Sequence, residues 1–313
     1  MVASVVVLCG GVGAARFLEG VVRAVDAEAV TAIVNVADDA EFHGLHVSPD
    51  IDTVLYTLAG IVDPAQGWGV RGDTHVLQAA LAKLGRDTWF QLGDRDMATH
   101  IHRTALLREG VTLTEITARL ARSLGVRPRV LPSSDERQAT MVRTDDGWLA
   151  FQEYFVRRRQ QDVVREVRFD GGGTPAPGVI EAIESARIVL VAPSNPIVSI
   201  GPILALTGVR SALSRTPAPV VAISPIVGGE ALKGPAAAML ASLGHEVSPV
   251  GVARIYAEFL DAMVLDERDA ALAPRVEAVG PRAVVAPTIM RDLPSKELLA
   301  RTAIDAARAH ADA

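Results

Sequence analysis

The sequence has few of the residues that would place the protein outside the cell or in a membrane. Its 313 residues include one cysteine, Cys9, so neither an intrachain disulfide nor a cysteine-rich zinc site can form within the chain. No apolar run approaches the roughly 20 residues of a membrane-spanning helix. The residues after Met1 lack the basic region of a secretory signal. We therefore expect a cytoplasmic protein with no membrane partner.

Lysine is also scarce, and acidic residues outnumber basic ones. The lysines are Lys83, Lys233 and Lys296, and the formal net charge is −6 at pH 7. An acidic protein does not attract the phosphate backbone of nucleic acids, so we expect no nucleic-acid partner. Hydrophobic residues make up 49% of the chain, enough for the core of one large or two smaller domains.

Several common catalytic motifs are missing. The sequence contains no G-x-x-x-x-G-K-[ST], no H-E-x-x-H and no G-x-S-x-G. These absences exclude a P-loop ATPase, a zincin protease and an α/β-hydrolase with a nucleophile elbow.

A glycine loop near the start of the chain is the first positive signal. The apolar run Val5–Leu8 predicts a buried strand, and a helical pattern follows the glycines of Cys9–Gly13. Such a loop lets the backbone come close to a phosphate and presents unpaired N–H groups at a helix start. Arg16 stands where a dinucleotide fingerprint has its third glycine, which disfavours an NAD(P) oxidoreductase. A tight turn without ligand is the alternative.

Paired aspartates follow the next predicted strand. The run Ala32–Val36 precedes Asp38 and Asp39, and Asp50 and Asp52 lie near a predicted helix start. Carboxylates suit Mg²⁺, which takes oxygen ligands and often shares them with substrate phosphates. Aspartates at a helix start also cap free N–H groups, which is the alternative for each of them.

A third charged stretch covers residues 93–100. The run Trp89–Leu92 predicts a short strand, and four of the eight residues from Gly93 to His100 are ionisable. The end of a strand next to a helix start faces the ligand in open α/β sheets. The alternative is a helix with an acidic first turn and a charge pair three residues apart.

The remaining pattern predicts an α/β protein with a mostly parallel sheet, helices on both faces and a smaller α+β insertion. Residues 1–110 and 185–313 are predicted to form the core, and residues 111–184 the inserted subdomain. Ser194, Asn195 and Ser224 follow two apolar runs and are expected at the same sheet edge as the glycine loop. The triplet Arg157–Arg159 is predicted to be a solvated face.

Four blocks of the sequence resemble one known family. Residues 9–16, 48–53, 92–100 and 193–203 are similar, in order, to the 2-phospho-L-lactate transferases of coenzyme F-420 biosynthesis, and residues 224–226 and 265–269 extend the match. The resemblance implies a Rossmann-like core, a homodimer and a Mg²⁺-dependent reaction. The family moves a phospho-carboxylic acid unit from a guanosine-diphosphate-linked donor to the terminal ribityl hydroxyl of the deazaflavin Fo and releases GMP. The arginine- and alanine-rich composition resembles the actinobacterial branch, which uses phosphoenolpyruvyl, but both donors remain open.

The resemblance also implies roles for particular residues. Asp52 would lie at the acceptor hydroxyl and, more than Asp50, would orient or deprotonate it, and both would hold Mg²⁺. Gln91 stands where relatives often carry a basic deazaflavin contact. The deazaflavin-binding residues implied are Asp52, Gln91, Gly93, Asp94, Arg95, Thr99 and His100. The nucleotide-binding residues implied are Gly10, Gly11, Gly13, Arg16, Ser194, Asn195 and Ser224. A non-catalytic nucleotide-sugar-binding regulator of the gluconeogenesis-factor type remains the alternative function.

Overall fold

The computed structural model describes residues 4–232 and 234–311. The first half contains β1 Val5–Cys9, α1 Gly11–Ala24, β2 Val30–Val34, β3 Ala40–Phe42, β4 Leu45–Val47, α2 Pro49–Leu58, α3 Val76–Lys83, α4 Asp94–Arg108, α5 Leu113–Ser123, β5 Arg129–Pro132, β6 Gln138–Thr144, β7 Gly147–Ala150 and β8 Glu166–Gly171. The second half contains α6 Val179–Ser185, β9 Ile188–Val191, α7 Gly201–Ala205, α8 Val209–Arg215, β10 Val220–Ile223, β11 Ile226–Val227, β12 Glu230–Ala231, α9 Ala236–Ser242, α10 Pro249–Tyr256, β13 Ala262–Leu265, α11 Ala273–Glu277, β14 Arg282–Val285 and α12 Leu293–Ala311.

Seven strands form one sheet in the order β14-β13-β10-β9-β1-β2-β5. Every neighbouring pair is parallel, and Val5 of β1 is in register with Val30 of β2 and with Ile188 of β9. The chain builds outward from β1 in one direction to β5, then returns to the other side at β9. The strand order therefore reverses between β1 and β9, which is where open α/β sheets bind ligands.

Two apolar clusters cover the two faces of this sheet. Along β1, Val5 and Val7 belong to the cluster that includes α1, α2, α5 and α12, whereas Val6 and Leu8 belong to the cluster that includes α6, α8 and α10. Alternate residues of a strand point to opposite faces, so a strand covered on both sides is apolar throughout. The predicted α/β class with helices on both faces is confirmed.

The predicted insertion contributes to two sheets. Within residues 111–184, β5 pairs with β2 in the main sheet, whereas β7, β6 and β8 form a separate antiparallel sheet. Phe151 and Tyr154, which follow β7, pack with Val198 and Met239 of the core. This places the segment after β7 beside the loops that follow β9.

Residues 89–92 are not the strand that the sequence predicts. They form an irregular segment in which the Gln78 side chain donates to the Phe90 carbonyl and accepts from the Leu92 N–H. The amide of Gln78 thus replaces a strand partner. Across the described ranges, no helix combines the length and the apolar character that crossing a membrane requires.

Candidate functional site

A cavity of about 890 Å³ opens at the carboxyl ends of β1, β9 and β10. It lies where the strand order reverses and is a size typical of small-molecule sites. The structure brings the following predicted site residues to its lining: Gly10, Gly11, Gly13, Arg16, Asp50, Asp52, Gln91, His100, Ser194, Asn195 and Ser224.

The glycine loop packs tightly against the loop after β9. A Cβ atom on Gly13 would lie 2.6 Å from the Pro193 carbonyl oxygen, and one on Gly10 would lie 2.6 Å from the Cβ of Ser199. The Ser194 hydroxyl donates to the Gly10 carbonyl over 2.9 Å. The two glycines are therefore required for the packing of the two loops, in addition to any contact with a ligand.

Asp50 lies beside the start of α1 and is only 7% exposed. Asn35, which follows β2, donates its side-chain N–H to Asp50 Oδ2 over 3.0 Å. Burial raises the pKa of Asp50 to about 7, the Asn35 hydrogen bond and the Gly11 N–H act in the lowering direction, and the charge of Asp39 adds to the increase.

Two further buried carboxylates accompany Asp50. Burial and the charges of Asp50 and Asp39 raise the pKa of Asp38 well above its usual range. One oxygen of Asp39 accepts from the Ser48 hydroxyl at 2.6 Å and lies 3.0 Å from His46 Nε2. The Oδ1 atoms of Asp38 and Asp39 are buried and have no hydrogen-bond partner among the described residues. The surrounding groups therefore do not satisfy all the carboxylate oxygens of this cluster. Such an arrangement favours the binding of a cation.

Asp52 has different partners from Asp50, because residues two apart on a helix point in nearly opposite directions. Arg103, which is fully buried, donates to both Asp52 oxygens, over 3.0 Å to Oδ2. His100 lies between two carboxylates, with Nδ1 3.6 Å from Asp52 Oδ2 and Nε2 3.2 Å from Asp96 Oδ2. Asp52, Asp96 and His100 place one ligand atom each within 4.8 Å of one another, so this group is a second place that could hold a metal. Joint ligation by Asp50 and Asp52 stays a prediction.

The start of α4 has a structural explanation. Asp94 accepts from the backbone N–H groups of Val76 and Leu77, both over 3.0 Å, and so caps α3. In return, Asp73 accepts from the N–H groups of Arg95 and Asp96 and caps α4. A Cβ atom on Gly93 would overlap the Asp73 carboxylate, so glycine leaves the room that this cap needs.

Other members of the 93–100 block differ in position. Thr99 accepts from the Tyr56 hydroxyl over 2.8 Å, and the Arg95 side chain is exposed. Gly93, Asp94, Arg95 and Thr99 are not among the residues that line the cavity, whereas Asp96 and His100 are. Their contact with a deazaflavin stays a prediction.

Aromatic side chains form two walls of the cavity. Trp68 and Phe90 line one side, and Phe90 stacks on Phe42 with 4.1 Å between ring centroids. Phe151 and Phe155 line another side and stack on each other at 5.4 Å. Aromatic walls suit a flat ring system.

Several lining residues were not assigned to the site from the sequence. Asp38 follows β2, and its signal in the sequence is its place directly after a predicted strand. Phe151 and Phe155 have only their i, i+4 spacing as a signal. Arg159, predicted with its neighbours as a solvated face, lines the cavity, and its backbone is left-handed, with φ +51°. Tyr56 also lines the cavity, and its hydroxyl donates to Asp96. Arg103 does not line the cavity but donates to Asp52, and only the tertiary structure brings these partners together.

Comparison with known proteins identifies the family of this chain. The model of the family "2-phospho-L-lactate transferase CofD" matches residues 5–285. The 2-phospho-L-lactate transferase of Methanothermobacter thermautotrophicus is 42% identical over 297 residues, covering 95% of this chain and 96% of that protein. The phosphoenolpyruvate transferase of Streptomyces avermitilis is 44% identical over 308 residues, covering 96% and 97%.

The fold also has solved counterparts. Two structures of a Bacillus halodurans protein, one described as a member of the UPF0052 family, have TM-scores of 0.68 and 0.64 at 17% and 15% identity. They cover 97% and 96% of this chain, and 100% and 99% of their own. At this identity they support the fold alone. The family match and the full-length relatives confirm the resemblance read from the sequence blocks, and the chain belongs to the 2-phospho-L-lactate transferase (CofD) family.

Proposed function

We propose that this protein transfers a phosphoenolpyruvyl or 2-phospho-L-lactyl unit from a guanosine-diphosphate-linked donor to the terminal hydroxyl of the deazaflavin Fo, and releases GMP in coenzyme F-420 biosynthesis. The observation that carries the proposal is one cavity that joins a glycine loop, buried carboxylates and aromatic walls. Relatives named for either acid are similar at nearly the same identity, so both donors belong to the proposal.

The donor nucleotide is proposed to lie along the glycine loop and the ends of β9 and β10. The first backbone N–H groups of α1 lie there and suit an anion. Asn195 and Ser224 hold their own loops, because Asn195 Oδ1 accepts from the Ile197 N–H over 2.9 Å and the Ser224 hydroxyl donates to the Ile226 carbonyl over 2.9 Å. Their role is therefore to shape the nucleotide edge, together with Ser194.

Mg²⁺ fits the carboxylates beside this loop. The available ligand atoms are the oxygens that Mg²⁺ prefers. Asp50 faces the loop, and the buried Oδ1 atoms of Asp38 and Asp39, which have no hydrogen-bond partner among the described residues, add further oxygen ligands. We propose Asp50 as one ligand, with Asp38 available as a second, and Asp52 as the further ligand that the sequence predicts. When bound, the ion supplies charge neutralisation for the donor diphosphate.

The acceptor is proposed to lie between the aromatic walls, with its hydroxyl near Asp52. Arg103 and His100 fix the Asp52 carboxylate, so that it can orient the hydroxyl for in-line attack on phosphorus and accept its proton. The bond from phosphorus to the acceptor oxygen forms as the bond to GMP breaks. Positioning and charge neutralisation supply most of the rate increase in such transfers.

A homodimer is also proposed, by family resemblance. Helix α3 supports it, because Val76, Leu77 and Leu84 at this helix are 71%, 41% and 80% exposed. An exposed apolar helix face is typical of an interface. Light scattering on the purified protein tests the dimer, and Leu84→Glu should shift it towards monomer.

Product analysis tests the transfer directly. The protein is incubated with Mg²⁺, Fo and each donor in turn, and GMP and the deazaflavin product are identified by mass spectrometry. We expect GMP and a phosphodiester product from at least one donor, with turnover lost in Asp52→Asn at a temperature where circular dichroism shows that this variant is folded. A regulator would bind nucleotide without releasing GMP, and normal turnover by folded Asp52→Asn would exclude the assigned role of Asp52.

A further inference from the structure

The segment 153–162 after β7 has an unusual backbone. Residues Glu153–Arg157 form a π-helical turn, and the next turn contains two consecutive left-handed residues that are not glycine, Arg159 at φ +51° and Gln160 at φ +52°. π-Helical turns and left-handed residues other than glycine are both frequent at functional sites. These conformations are energetically unfavourable, so they persist only where function or strong packing maintains them. Packing accounts for the conformation of this turn only in part, because Arg159 and Gln160 are exposed.

The three consecutive arginines of this turn have different environments. Arg158 forms ion pairs with Asp146 at 3.0 Å and Asp162 at 3.5 Å. Arg157 pairs with Asp87 at 3.3 Å and lies over the Trp89 ring, 5.9 Å from its centroid. The Arg159 side chain has no ion pair or hydrogen bond within residues 4–232 and 234–311. Arg157 and Arg158 therefore anchor the turn, and Arg159 is left to face the cavity that it lines.

The charges of the cavity lining make this free guanidinium significant. Asp38, Asp50, Asp52 and Asp96 all line it. The arginines of the described lining are Arg16 and Arg159, and Arg16 already donates to the Met290 carbonyl. An anionic donor that enters this cavity needs positive charge, and Arg159 is the arginine there with all of its N–H groups unused.

We propose that Arg159 binds an oxyanion of the donor, either a phosphate of the nucleoside diphosphate or the carboxylate of the transferred acid, and that the left-handed backbone at 159–160 directs it into the cavity. A guanidinium matches both oxyanions through two parallel hydrogen bonds. The inference rests on the proposed function for the identity of the donor, but the binding of an oxyanion at Arg159 can be tested without turnover.

The experiment compares Arg159→Gln, Arg159→Lys and the control Arg165→Gln, which removes the same charge from an exposed arginine outside both the turn and the cavity lining. Calorimetry measures the affinity of each for GDP and for phosphoenolpyruvate at low and high salt, and kinetics measure KM for the donor and for Fo. We expect Arg159→Gln to weaken binding of at least one probe about tenfold, which is typical of one lost charge-assisted hydrogen-bond pair at a partly exposed site.

The pattern of losses identifies the oxyanion. A loss for GDP identifies a phosphate, and a loss confined to phosphoenolpyruvate and to donor KM identifies the carboxylate. Arg159→Lys should recover part of the affinity, the salt dependence of binding should decrease in Arg159→Gln, and KM for Fo should not change. The inference is overturned if Arg159→Gln binds both probes like the unmodified protein, or if Arg165→Gln loses as much affinity. Absence of product from the unmodified protein would instead overturn the proposed function, while the two binding measurements still decide the role of Arg159.

Discussion

Arg103 on α4 donates hydrogen bonds to both carboxylate oxygens of Asp52 on α2, although the residues lie 51 positions apart in the chain. Arg103 is fully buried and Asp52 is 4% exposed. A bidentate pair in a buried place fixes the carboxylate in one orientation. The position of the proposed acceptor-binding aspartate therefore depends on a residue outside the four sequence blocks that resemble the family.

Removal of one partner of this pair should destabilise the fold. Arg103→Met leaves the Asp52 charge buried and unpaired, and we expect a loss of about 3–5 kcal/mol in the free energy of unfolding. The double variant Arg103→Met with Asp52→Asn should recover much of that loss, because no buried charge is left. Urea unfolding of the four proteins of this cycle measures the coupling. Additive effects of the two substitutions would contradict a direct pair.

Stability should depend on pH through Asp50. Its pKa is about 7 in the folded protein, against an ordinary value of 3.8, so the folded state retains a proton that the unfolded state releases. The free energy of unfolding should therefore fall as pH rises from about 4 to about 7 and change little from this group above that. Unfolding midpoints in Mg²⁺-free buffer measure this effect, which should be smaller in Asp50→Asn.

The same variant tests the proposed ion. At pH 7.5, Mg²⁺ should raise the unfolding temperature of the unmodified protein, since a ligand that binds only the folded state stabilises it. The increase should be reduced in Asp50→Asn. Equal increases in both proteins would place the ion elsewhere, and Asp52→Asn then distinguishes the group at Asp52, Asp96 and His100.

The sequence predicted the sheet well because buried parallel strands are continuous apolar runs. Strand β1 covers the predicted apolar run Val5–Leu8, and the loops after β1, β9 and β10 meet at one edge as the parallel arrangement requires. The predicted strand at 89–92 failed because a side chain, Gln78, supplies the hydrogen bonds that a neighbouring strand would supply. A local pattern carries no information about such a distant partner.

The site was predictable in its location more than in its contacts. Asp50 and Asp52 both line the cavity, but they point in different directions from α2. Asp50 contacts Asn35 and the glycine loop, whereas Asp52 pairs with Arg103. Asp94 has the charge expected of a ligand contact and the geometry of a helix cap. Both distinctions depend on side-chain direction, which residue type and spacing leave open.

Substitutions in the paired caps of α3 and α4 test whether Gly93 has a structural role or a role in ligand binding. Gly93→Ala places a Cβ where the Asp73 carboxylate lies, so the cap of α4 should be lost at a cost of about 1 kcal/mol. Asp73→Ala should cost a similar amount, and the double variant should add little. Thermal unfolding measures stability, and KM for Fo measures binding. A large rise in KM for Fo at unchanged stability would instead show that Gly93 serves the ligand.

The left-handed backbone at Gln160 should be strained. A non-glycine residue in this conformation costs about 1–2 kcal/mol, whereas glycine adopts it freely and gives back about 0.5–1 kcal/mol through its more flexible unfolded state. Gln160→Gly should therefore leave the free energy of unfolding unchanged or raise it by up to about 1 kcal/mol. The neighbouring Gln161→Gly, at a residue without positive φ, should lower it by about 0.5–1 kcal/mol. Urea unfolding of both variants measures the difference, and equal destabilisation would mean that the turn stores no strain at residue 160.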